Sequence, residues 1–249
     1  MRVLKIMTII ALMAAGPVVA DQEFEPASAG GAGFPPDPLA PMWDGPRAVL
    51  YDNGPLVNSP GTGAGGADES QLQTALGMNT LGAGHQFTLG YSLADDFVVP
   101  AGQTWDLTNI TFFAYQTGSP TTSSMTGVYV AIWNGQPGAG GSVIWGDQTT
   151  NLLGTTGFSN IYRTTDTTSG TTNRPVMANV ANVVATLTEG TYWLQWSTDG
   201  SLSSGPWAPP ITINGQTTTG NALQYTTGWA ALTDSGTLTP QGMPFIIEG

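Results

Sequence analysis

Two adjacent aspartates, Asp95 and Asp96, stand in the stretch SLADDFVVPAG (residues 92–102), just ahead of an apolar run and a Pro-Ala-Gly turn. Paired carboxylates can serve as acid and base across a glycosidic bond, or as hard oxygen ligands for Ca²⁺. Neighbours in a strand face opposite ways, so this pair does not converge on one bond. No other spacing singles out two carboxylates, and glycosidase chemistry is therefore the weakest reading. A Ca²⁺ site would draw on Asp52, Asp95 and Asp96. Asp52 and Asn53 lie in the turn LYDNGPL, and Asp68 and Glu69 follow in the next connection. No EF-hand spacing is present, so such a site would have to be assembled in space. The residue types favour the plainer role, polar groups at a turn and at a strand start.

His85 is the single histidine and there is no cysteine. Zinc sites with two imidazoles or with thiolates are excluded, as are cysteine nucleophiles and disulfides. A Ser-His-Asp triad would have to use His85, yet no Gly-x-Ser-x-Gly elbow occurs. His85 reads as a loop residue beside a short FTL strand. The Gly-Gly pairs at 30, 65 and 140 lack a phosphate-loop lysine, which removes nucleotide binding.

Aromatic chemistry is the richer possibility. In SGPWAPPITING, Pro206, Pro209 and Pro210 restrict the backbone around Trp207. A ring fixed on such a loop can stack on a sugar. Trp193 and Trp133 are further candidates, each in an alternating strand. The competing reading makes these tryptophans core.

The elements that must position these groups are strands. LTNITFFAYQ, TGVYVAIWNG and GTYWLQWSTDG alternate with period two and end in turn formers. Shorter candidates include Phe97–Val99, Val180–Leu187 and Phe245–Glu248. With 34 Gly and 18 Pro, about ten short strands joined by turns are expected, in a jelly-roll-like two-sheet β-sandwich over residues 47–249. One short helix is expected in ESQLQTALGM, within an otherwise long connection at 58–85.

The chain opens MRVLKIMTIIALMAAGPVVADQ: a basic start, an apolar stretch and a small-residue cleavage site after Ala20. This predicts a signal peptide over 1–20 and export, followed by a flexible Gly/Pro-rich arm over 21–46 with no good strand run. The remaining chain has three arginines against 17 acidic residues, a formal charge of −14. Such a surface repels nucleic acid and anionic lipid, and no apolar stretch after the leader is long enough to insert in a membrane.

At YDNGP, ADDFVVPAG, GTYWLQW and SGPWAPP the chain resembles a loosely defined group of exported bacterial β-sandwich proteins. Members often carry a carboxy-terminal sorting tag. This chain ends PFIIEG without one, which implies release rather than anchoring. The resemblance implies a fold and no catalytic residue; the leader together with the missing tag predicts an exported, soluble protein of a Gram-negative bacterium, extracellular or at the cell surface.

Three functions follow as expectations. The first is a secreted, non-catalytic structural or adhesive protein that binds itself or other extracellular proteins. The second is a Ca²⁺-assisted carbohydrate-binding module for polysaccharide, using Trp207, Trp193 and Trp133. A glycan-active enzyme comes third.

Overall fold

The computed structural model describes residues 22–24 and 49–249; the predicted signal peptide and most of the predicted arm lie outside them. The described strands are β1 (Gln22–Phe24), β2 (Val49–Asp52), β3 (Asp68–Leu72), β4 (Thr80–Gly84), β5 (Ser92–Ala114), β6 (Met125–Trp133) and β7 (Val143–Gly146). They continue with β8 (Leu153–Thr165), β9 (Pro175–Gly200), β10 (Trp207–Ala208), β11 (Leu223–Tyr225), β12 (Trp229–Ala231) and β13 (Phe245–Glu248). The protein is an all-β sandwich, as the period-two runs predict. Among the described residues no helix is long and apolar enough to cross a membrane.

The three alternating runs fall in β5, β6 and β9, but β5 and β9 are far longer than the runs that signal them. β5 pairs antiparallel with β9 from Leu93↔Trp196 to Ala114↔Met177. The ladder breaks only at two irregularities, one where residues 100–103 bulge opposite Glu189. Pro100 cannot donate there, and the Gly102 N–H turns instead to Glu189 Oε2 at 2.5 Å. At this bulge the two halves of the pair take different neighbours. The first half of β5 is flanked by β11 and β12, and the paired half of β9 by β6 and β7. The other half carries β13 and β2 beside β5, and β8 and β3 beside β9. Residues from both halves share one core: Leu93, Phe97 and Trp196 with Ile110, Phe112, Val183 and Phe245. Phe112 stacks on Trp196 with ring centroids 5.0 Å apart. Burying each such side chain contributes about 2–3 kcal/mol.

Two of the quoted motifs are register partners in this ladder: Asp95, Asp96 and Phe97 lie opposite Leu194, Trp193 and Tyr192.

The small sheet, ordered β1-β4-β10, places Ala83 and Ala208 in the same core. Two expectations change here. Residues 68–72 form strand β3, not a helix, running parallel to β8 from Asp68↔Ile161 to Leu72↔Thr165. Only Thr74–Leu76 makes a 3-10 turn, ended by Gly77 at φ 83°. Within the arm, Gln22–Phe24 pair with β4, although nothing in that stretch alternates.

Candidate functional site

Trp207 begins β10 and is held from two sides. The Trp207 N–H donates to the Tyr115 carbonyl, and the Tyr115 N–H donates to the Trp207 carbonyl, both at 2.9 Å. Behind it lies Gly82, where a Cβ would fall 2.8 Å from Trp207 Cβ and 2.6 Å from the Tyr115 hydroxyl oxygen. Only glycine allows the three strands this approach. The indole N–H donates to Ser204 Oγ at 3.1 Å. The half-buried ring walls a cleft of about 330 Å³, which Gln86, Thr88, Leu89, Asp199, Leu202 and Ser203 also line.

Gln86 follows β4 and is fixed by its backbone, whose carbonyl accepts from Leu89 and Tyr91, both at 3.1 Å. Its side chain is 4% exposed, and Oε1 has no hydrogen-bond partner. Asp199 comes from the end of β9, where its Oδ1 accepts from the Gly200 N–H at 2.9 Å. Leu89 and Leu202 are 58% and 39% exposed at the rim. The lining thus combines an amide, a carboxylate, the hydroxyls of Thr88 and Ser203, and an apolar wall. Asp199 is the one carboxylate among its described lining residues, whereas a glycosidase acid–base pair takes two.

Trp193 and Trp133 do not line this cleft. Trp193 is 6% exposed and packs with Ala94 and Leu223, against which Trp133 and Trp229 also rest. Trp133 meets Trp229 edge-on at 6.5 Å and donates its indole N–H to Gln195 Oε1 at 2.9 Å. These rings form a second cluster on the face of β5, β9 and β6 away from the main core.

The aspartates separate as strand geometry requires. Asp95 is buried on the core face of β5, Asp96 is half-buried on the other, and Asp52 is exposed at the end of β2. Asp95 Oδ2 accepts from Asn53 Nδ2 at 3.0 Å and from the Met243 N–H at 2.8 Å. Its Oδ1 accepts from the Asp96 N–H at 3.0 Å. Burial raises the Asp95 pKa to about 7, against the pull of those donors. The pKa of Asp52, though that residue is exposed, is also raised, by partial desolvation against the protein surface. No group of three or more His, Asp or Glu side chains suited to a metal ion occurs among the described residues. Glu69 is buried and accepts from Thr62, Gln71, Ser169 and the Gly170 N–H. Burial alone would raise its pKa, but these bonds together hold it low. It ties β3 to the β8–β9 connection.

His85 lies in the short connection after β4, as expected of a loop residue, and is fully buried; the FTL segment is a 3-10 turn rather than a strand. Burial lowers the His85 pKa to about 4, so the ring is neutral near pH 7.

Gln86, Asp199 and Leu202 carry the cleft, and sequence reading missed all three. The Gly/Ser-rich run DGSLSSG directly before Pro206 was the available signal for the latter two. Gln86 carries none. No protein-family model matches the chain, and neither curated proteins nor solved structures give a match.

Proposed function

We propose that this is an exported, non-catalytic adhesive protein of the bacterial surface or extracellular matrix, and that it holds a neutral saccharide in the Trp207 cleft. The observation that carries this reading is Gln86, which lines the same cleft as the Trp207 ring and whose buried Oε1 has no donor. A buried polar atom without a partner is costly, and a hydroxyl-rich ligand would supply the missing donor. A pyranose also has a C–H face for the indole and further hydroxyls for Asp199 and Ser203. The overall negative charge disfavours anionic polysaccharides. The single carboxylate among the described lining residues supports binding over hydrolysis. Ca²⁺ is not required by this reading.

A glycan array followed by calorimetric titration tests it. Neutral oligosaccharides are expected to bind, and Trp207→Ala should weaken them about 10- to 100-fold, the loss of one stacked aromatic anchor. Trp133→Ala should leave affinity unchanged. An array without neutral-glycan binding, or equal effects of both variants, overturns the assignment.

A further inference from the structure

Strand β1 is three residues long, pairs with β4, and is also held by the side chains of Gln22 and Glu23. Gln22 Nε2 donates to the Thr233 carbonyl at 2.8 Å, and Gln22 Oε1 accepts from Thr80 Oγ1 at 2.6 Å. The Glu23 carboxylate accepts from the hydroxyls of Tyr115 and Thr117, and from Arg174 Nε at 3.4 Å. Tyr115 is fully buried, and Arg174 is 5% exposed. A guanidinium and two hydroxyls thus converge on one carboxylate beside the edge of β4. This is a built receptor for an acidic strand.

We propose that this slot accepts the N-terminal strand of a second copy of the chain in place of its own, joining copies by strand exchange. Two features favour that occupant. The first is reach: residues 25–48 separate β1 from β2. These 24 residues extend to about 80 Å, against a diameter of roughly 40 Å for a domain of about 200 residues. The second is chemical complementarity. The register is set by Gln22↔Ala83 and Glu23↔Gly82, and the clamp by Glu23 against Arg174. Nothing in those contacts distinguishes a chain's own strand from its neighbour's. Reciprocal exchange closes a dimer, while one-way donation extends an open row. The inference uses no residue that lines the Trp207 cleft and stands apart from the saccharide reading.

A tethered strand has an effective concentration of roughly millimolar, so exchange becomes populated at comparable protein concentration or when copies fold together. The cysteine-free chain gives a clean trap. Directly opposed residues of an antiparallel pair lie about 4.5–5.5 Å apart at Cα, which suits a disulfide. Gln22→Cys and Ala83→Cys are placed on separate mass-tagged chains, mixed in denaturant, refolded together at about 1 mM and oxidised. A covalent heterodimer comprising about a quarter of the chains is expected, since trans and cis docking then compete nearly evenly and half of the trans pairings join the two kinds of chain. Adding Glu23→Ala to the donor should reduce it at least tenfold. Absence of heterodimer, while both changes in one chain form their internal bond, overturns the proposal. If Ala83→Cys fails to fold, light scattering on the unaltered chain decides. Oligomers at about 1 mM that Glu23→Ala dissolves support exchange; a monomer, or oligomers indifferent to Glu23→Ala, overturns it.

Discussion

Asp95, on the core face of β5, uses both carboxylate oxygens in hydrogen bonds, whereas Gln86, on the Trp207 cleft, has an Oε1 with no donor at all. The two side chains are almost equally shielded, at 2% and 4% exposure. Burial therefore does not distinguish them; satisfaction does. Asp95 joins β5 to the Asn53 turn and to Met243 just before β13, so its bonds hold the fold together. Gln86 Oε1 bears a desolvation cost with no compensating contact inside the protein. A fold tolerates that at a position where a ligand supplies the partner.

The largest consequence falls on Asp95. Replacing it with Ala leaves Asn53 Nδ2 short of one acceptor and strands the buried Met243 N–H, besides opening a small void. A stability loss of about 2–4 kcal/mol is expected by denaturant unfolding. Saccharide affinity should not change, because Asp95 does not line the cleft. An Asp95→Ala protein of unaltered stability would collapse the contrast.

A second test uses pH, where Asp95 and His85 oppose each other. Asp95 has a folded pKa raised to about 7, so its contribution is fully present below the unfolded carboxylate value and is lost as pH rises through 7. His85 has a folded pKa lowered to about 4, so its contribution is present above the unfolded imidazole value and is lost as pH falls toward 4. Between about pH 5 and 6.5 the folded state holds the Asp95 proton and lacks the His85 proton, and the slopes nearly cancel. The parent protein should be level across that window. Asp95→Asn should expose stability that rises with pH by about 1 kcal/mol per unit, and His85→Asn a fall of similar size. Parallel profiles for the three proteins would show that neither group is perturbed as burial demands.

Much of the scaffold was legible because period two survives wherever one strand face meets the core. Ile110 and Phe112, or Val128 and Val130, announce themselves locally, and the opposite facing of Asp95 and Asp96 follows from the same rule. Residues 68–72 misled because β3 owes its form to a parallel partner, Ile161 to Thr165, far along the chain; a helix-like local run outweighed that signal. β1 was silent for a related reason. Gln22 and Glu23 are held there by Tyr115, Thr117, Arg174, Thr80 and Thr233, all distant in sequence. Trp207 stood out through its prolines, but the cleft beside it arises only when β9 delivers Asp199 and the end of β4 delivers Gln86. Trp193 and Trp133 looked equivalent to Trp207 because indole identity alone does not say which ring a neighbouring hairpin will cover.

The smallest effect gives the sharpest discrimination between satisfied and unsatisfied groups. Gln86→Leu removes an acceptor with no partner and substitutes a side chain of similar size on the buried margin of the cleft. Replacing an unsatisfied buried amide by an apolar group relieves a desolvation cost, so stability should stay within about 0.5 kcal/mol of the parent or rise. Affinity should move the other way. One neutral hydrogen bond to a ligand hydroxyl contributes about 0.5–1.5 kcal/mol, so binding of a neutral oligosaccharide should weaken roughly 3- to 10-fold. Thermal unfolding of the free protein and calorimetric titration of the same preparation read both quantities. A protein that loses stability and keeps its affinity would make Gln86 a structural residue like Asp95, and would leave the Trp207 ring without the polar partner that gives the cleft its ligand chemistry.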